Sequence, residues 1–130
     1  MNQRFIELGK GYSDIYELLE LAKTNQHRSK YFLCLKAEAA SSKVMSFALV
    51  LGPSSYGDFM PIYICREGIP LLSDQKKSKR YELFSSLAEE QGKKVIEMDV
   101  RHSSTFAEPE LYYQYLIGIL RMNRFLPPLQ

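Results

Sequence analysis

The sequence predicts an α+β fold in the order β-α-β-β-β-α-β-α, a single domain over residues 1–130 whose mixed sheet contains an antiparallel meander and is packed by helices. Three observations predict it. Apolar residues recur at helical spacing in three places: Ile15, Leu18, Leu19 and Ala22; Tyr81, Phe84, Leu87 and Ala88; and most of residues 108–126. Between the first two lie strand-like runs at 31–38, 43–51 and 59–66, separated only by AASS and GPSSYGD, and such short loops favour antiparallel neighbours. A chain of 130 residues can also bury about two thirds of its unfolded surface, so a core forms without metals or disulfides.

Each element has its own local reason. Residues 4–8 read as a short strand, and Gly9-Lys10-Gly11 then offers two positions that tolerate positive φ before a helix opens at Ser13 or Asp14. Asp14 and Glu17 have capping-box spacing, and the helix ends near Thr24-Asn25. In the second meander strand, Val44, Ser46, Ala48 and Val50 alternate with Met45, Phe47, Leu49 and Leu51, so both faces are apolar and the strand belongs in the middle of the sheet. Pro61 cannot donate to a ladder, which predicts an edge position or a delayed start for the third strand. Ser73 or Asp74 can cap the second helix, which runs to about Gln91 and is stopped by Gly92. Residues 94–100 read as a strand with Ile96 and Met98 on one side and Glu97 and Asp99 on the other. The polar run from His102 to Thr105 leads to the final helix, where Pro109 suits the first turn and Glu108 the positive end.

That last helix carries too little polar surface to stand in water. Gln114, Gly118 and Arg121 form one narrow stripe, and nearly everything else is apolar or aromatic. Such a helix needs cover on more than one side. A twofold homo-oligomer sharing part of Tyr112, Tyr115, Ile119 and Met122 supplies it, since aromatic residues and methionine are enriched at interface centres.

Composition narrows the function classes. With 17 basic and 15 acidic side chains the net charge is +2, so no global field calls for nucleic acid or an anionic membrane. Cys34 and Cys65 each sit in an apolar run, spaced as buried strand residues and unlike a CxxC pair. The start, MNQRFIELG, lacks the apolar stretch of a secretory signal, and no apolar run approaches the roughly 18 residues of a membrane helix. These features predict a cytoplasmic protein with reduced thiols and no membrane partner.

Several constellations compete for a site. A strand ending in Arg66-Glu67-Gly68 places two charges beside a glycine turn, and with Asp99, Arg101 and His102 these residues define a candidate ligand pocket. Lys76, Lys77, Lys79 and Arg80 crowd the first turns of the second helix, where cations oppose the helix dipole and could meet phosphates of a nucleic acid or nucleotide. The bland reading, a solvated face, is favoured because no aromatic residue is interleaved within the cluster. Asp99, His102 and Ser103 or Ser104 are the residue types of a hydrolase triad, but near-neighbours on one strand seldom converge and there is no GxSxG elbow. Gly9-Lys10-Gly11 lacks the third glycine of a dinucleotide fingerprint, with Asp14 in its place. His27 and His102 are far apart, and no carboxylate-histidine pair has helical spacing, so no metal and no cofactor are expected.

The helix-β-β-β-helix-β stretch also matches the topology of the PD-(D/E)XK nuclease core, an analogy at the level of fold. The acid expected in its second strand is missing from VMSFALVL, and FMPIYICRE has no ExK. Across its length, in RFIELGKGYSDIYELLELAK, PIYICREGIP and YYQYLIGILRMNRFLPPLQ, the chain resembles a family of short, uncharacterised cytoplasmic proteins of Bacillus and its relatives. Members have been labelled methylthioribose kinase; this chain is too short for that enzyme's two lobes and has no Walker loop, HRD or DFG. The reading that remains is a non-enzymatic binding or regulatory protein of the bacterial cytoplasm, homodimeric, with a protein or small-molecule ligand. Phosphate-directed binding at the basic helix start and a small hydrolase using Asp99 and His102 are the alternatives.

Overall fold

The computed structural model describes residues 2–8, 14–39, 42–52, 59–70 and 79–126. Five strands, β1 (Asn2–Glu7), β2 (Ser29–Ala39), β3 (Ser42–Leu51), β4 (Phe59–Pro70) and β5 (Val95–Asp99), form one mixed sheet in the order β1-β4-β3-β2-β5. The meander β2-β3-β4 is antiparallel, while β1 runs parallel to β4 and β5 parallel to β2. Helices α1 (Asp14–Thr24), α2 (Lys79–Glu90) and α3 (Pro109–Met122) complete the predicted order, and a 3-10 turn, Ser103–Thr105, precedes α3.

Strand periodicity explains the layers. Met45, Phe47, Leu49 and Leu51 of β3 face a core shared with α1 and α2, and Ala48 and Val50 face a second core shared with α3. The central position of β3 follows from having two apolar faces. Phe47 lies stacked on Phe84 of α2 with ring centroids 4.7 Å apart, and Phe32 meets the same ring edge-on at 5.3 Å. On the other face, Tyr112, Leu116 and Leu120 of α3 recur every fourth residue and are buried against β1, β2, β3 and β4. Gly92, at φ 72°, ends α2 in the left-handed conformation that the sequence requires of it.

Of the two outcomes expected from Pro61 in β4, the delayed start is the one found: the strand is internal, between β1 and β3, and pairing with β3 begins only at Ile62, leaving Phe59–Pro61 beside β1 alone. β4 departs from expectation in continuing past Arg66 to Pro70 instead of turning at Gly68. Between the pairs Phe47–Cys65 and Met45–Ile69, β3 contributes Ser46 alone while β4 contributes Arg66, Glu67 and Gly68, so β4 bulges there. The Gly9-Lys10-Gly11 turn and the Ser73 or Asp74 cap lie outside the described residues.

Cys34 and Cys65 are both buried, and each is the register partner of Phe47, from opposite sides. Two strand spacings, about 9–10 Å, therefore separate their backbones, beyond the reach of a disulfide. Both thiols are expected to react slowly with a thiol reagent in the native protein and fast in denaturant, because access limits attack. Rapid labelling of either in native buffer would contradict their placement.

Candidate functional site

The bulge in β4 creates a polar locus around the buried Ser46. An extra strand residue leaves a backbone N–H without a ladder partner, and that of Glu67 donates instead to Ser46 Oγ at 2.8 Å. Ser46 is 1% exposed, so its hydroxyl is there to satisfy the bulge from within the core. Glu67 takes φ 53°, a left-handed conformation that costs a side-chain-bearing residue about 1–2 kcal/mol. The strain is held because the Glu67 carboxylate is engaged on both oxygens.

Ser103 at the start of the 3-10 turn donates its backbone N–H to Glu67 Oε2 at 2.8 Å and its hydroxyl to Oε1 in a short hydrogen bond. His102 Nε2 stands 3.4 Å from Oε2. The Ser104 backbone N–H donates to His102 Nδ1 at 3.1 Å, which requires a lone pair there and puts the proton of the neutral ring on Nε2, facing the carboxylate. Ser104 Oγ lies 2.9 Å from the same Nδ1. Glu67, His102 and Ser104 thus form an acid-base-hydroxyl chain.

Its surroundings argue for a strut. An acyl-transfer site needs amides free to hold an oxyanion. Here the Ser104 N–H is given to His102, the Thr105 N–H to the His102 carbonyl and the Phe106 N–H to the Ser103 carbonyl. Ser104 itself is exposed. The chain pins the β5–α3 connection onto the bulge.

The Tyr112 hydroxyl is buried beside Ser46 without a hydrogen bond of normal geometry. Burial first, then the nearby Glu67 carboxylate, push its pKa well up. Arg66 turns to the other side of the locus, its Nε 2.7 Å from Glu7 Oε1, which also accepts from the Tyr113 hydroxyl at 3.0 Å. Burial and Glu7 raise Tyr113 in the same way.

The five residues expected in one pocket therefore separate. Glu67 and His102 meet, and Arg66 joins them only through the backbone of the bulge. Asp99 does not pair with His102: with Glu97 it lies on the α1 and α2 side of the sheet, because its register partner is Lys36, two residues on from the buried Cys34. The acid beside His102 is Glu67, supplied by a strand far away in sequence. On that other face Glu97 accepts from the Tyr81 hydroxyl at 2.8 Å and pairs with Lys36 at 3.4 Å. Burial alone would lower Lys36; its hydrogen bond and attraction to Glu97, with Asp99 adding, outweigh that and hold it above its ordinary value. Arg101 turns to α3, its N–H donating to the Tyr115 hydroxyl at 3.1 Å and its guanidinium lying 5.9 Å from that ring's centroid.

Of the basic cluster, Lys76 and Lys77 lie outside the described residues, Lys79 is exposed and Arg80 half-buried on α2. Among the proposed interface residues Tyr112 is 0% exposed, a core residue with no surface left to share. Tyr115 and Ile119 are half-buried, and Met122 is 84% exposed. Among the described residues no group of three or more His, Cys, Asp or Glu side chains is placed to hold a metal ion, and no helix is long and apolar enough to cross a membrane.

Sequence reasoning missed Ser46, Glu7, Tyr113, Gln3 and Arg121. Ser46 alone carried a signal, as the one hydroxyl within VMSFALVL. A second polar locus lies at the other end of β1, where Arg121 Nη2 donates to Gln3 Oε1. Beside it a cleft of about 800 Å³ runs between β1 and α3.

Among curated proteins and among solved structures nothing matches the chain. A family model does, over residues 1–126: the chain belongs to the family defined by the domain of unknown function DUF7147.

Proposed function

We propose that this chain is a non-enzymatic binding or regulatory protein of the bacterial cytoplasm that works as a homodimer, joined through the outer face of α3. The observation that carries the reading is the stripe Leu111, Tyr115, Gly118 and Met122, at spacings of four, three and four. Leu111 is 44% and Met122 84% exposed, and nothing lies within 4 Å of where a Gly118 side chain would begin. Large apolar side chains flanking an open glycine let a second helix approach closely, and the same stripe on a twofold mate is self-complementary. A reducing compartment fits two buried thiols held too far apart to join. The non-catalytic reading rests on the Glu67–His102–Ser104 chain, whose neighbouring amides are already given to other acceptors.

The test is the double variant Leu111→Glu/Met122→Glu, both at exposed positions where folding does not depend on the native side chain. Light scattering is expected to show a dimer for the parent chain and a folded monomer for the variant, with far-ultraviolet circular dichroism unchanged. A variant that stays dimeric would remove α3 from the interface.

A further inference from the structure

We propose that the outer edge of β1 is a docking site for the same edge of a second copy of this chain, paired antiparallel about a twofold axis through Phe5. It goes beyond the dimer reading: α3 joins two chains through its outer stripe, and the β1 seam joins such pairs to one another where the protein is concentrated. Among the described residues β1 pairs with β4 alone, in a register without a bulge, and NQRFIE has neither proline nor lysine to blunt the edge. The opposite edge of the sheet, β5, is only five residues long and carries Glu97 and Asp99.

Two features choose a second copy as the occupant. The first is register. The Leu8 N–H donates to the Ile64 carbonyl of β4, so by alternation Gln3, Phe5 and Glu7 turn their N–H and C=O groups outward. An antiparallel mate centred on Phe5 uses all of them, in the pairs Gln3–Glu7, Phe5–Phe5 and Glu7–Gln3, each exchanging two hydrogen bonds. The second is charge. β1 and α3 run antiparallel, since the Tyr113 hydroxyl bonds Glu7 while Arg121 bonds Gln3. The cleft between them therefore has an acid end, with Glu110 in its lining and Glu7 beside it, and a donor end, with Gln3 in its lining and Arg121 hydrogen-bonded to Gln3. Arg4, exposed next to Gln3, adds positive charge at the donor end. A twofold mate reverses direction along the seam, so the acid end of each copy meets the donor end of the other. Gln3 Nε2, shielded from solvent and without an acceptor among the described residues, then stands directly opposite Glu7 of the second copy. The cleft also sets α3 back from the strand edge, which leaves room for the second copy's α3. An unrelated strand would satisfy the backbone of β1 alone; a second copy satisfies the backbone and these side chains together.

The seam is small and polar, the class of contact that is weak in solution, so it forms towards millimolar concentration, above the range in which α3 pairs. The experiment measures the mass of the parent chain and of Leu111→Glu/Met122→Glu, in which α3 does not pair, by sedimentation from micromolar to millimolar concentration. Both are expected to associate further as concentration rises, the double variant from monomer to dimer. Over the same range the Gln3, Phe5 and Glu7 amides should gain protection from hydrogen exchange, while those of Arg4 and Ile6, already turned to β4, should not change. Gln3→Glu, which keeps Arg121 as a partner within its own chain, and Glu110→Lys, at an exposed helix start, should each weaken the association about tenfold, since like charges then face one another across the seam. An equimolar mixture of these two variants should associate more tightly than either alone, because one junction then opposes a new acid to a new cation and the other is the native one. The α3 reading fails on a different result, a double variant still dimeric in the micromolar range with Gln3, Phe5 and Glu7 unprotected. No further association at millimolar concentration, protection gained away from β1, single variants that associate as the parent does, or a mixture no tighter than its components would each overturn the seam.

Discussion

Replacing Phe47 by alanine is expected to cost the chain about 3–5 kcal/mol, a large share of what holds a domain of this size together. Phe47 is 0% exposed at the centre of the middle strand. Its ring stacks on Phe84 at 4.7 Å and meets Tyr81 at 6.1 Å, and its backbone neighbours on either side are the two buried cysteines. Alanine would leave a cavity bounded by β2, β4 and α2, none of which can collapse without disturbing sheet register. Phe47→Leu keeps most of the volume and should cost well under half as much. Urea unfolding followed by tyrosine fluorescence measures both. An alanine variant within about 1 kcal/mol of the parent would mean that the sheet is not packed on α2 through this ring.

Glu67→Ala is the second large effect, about 2–4 kcal/mol, for a different reason. The substitution removes no large apolar group. It takes away the acceptor of the Ser103 N–H and hydroxyl and the neighbour of His102 Nε2, leaving donors unmatched in a locus where the Glu67 side chain is 10% exposed. It also keeps a side chain at φ 53°, now without the bonds that held it there. Glu67→Gly loses the same carboxylate but not the backbone freedom, so it should be more stable than Glu67→Ala by roughly 0.5–1 kcal/mol. Chemical denaturation of the pair gives the answer. An alanine variant as stable as the parent would show that the strut carries no load; a glycine variant less stable than alanine would contradict the left-handed backbone.

The helices and the meander are legible in the sequence because their information is local. Ile15, Leu18, Leu19 and Ala22, or Phe84, Leu87 and Ala88, declare a buried face through spacing alone, and all are buried. Val44 to Leu51 declares a central strand through its two apolar sets. What escapes is information held between distant segments. Pro61 argues locally for an edge or a delayed start, and only the register with β3, which begins at Ile62, decides between them. Arg66-Glu67-Gly68 looks like a turn because a bulge and a turn use the same residues. The partner of His102 is invisible from His102 itself: Asp99 is close in sequence and on the wrong face, while Glu67 is 36 positions from the Ser103 that binds it. Leu111, Tyr115, Gly118 and Met122 stand out only once Tyr112, Leu116 and Leu120 are known to face the sheet. Gln3 and Arg121, 118 positions apart, give no local sign of meeting.

The same face of α3 decides whether the chain is an assembly or a lone subunit. Sedimentation equilibrium of the unmodified protein across the micromolar range measures it without any substitution. The account predicts a species of twice the 15.1 kDa chain mass, dissociating only on dilution. A single-chain mass at every concentration, with Met122 and Leu111 left in water, would contradict it.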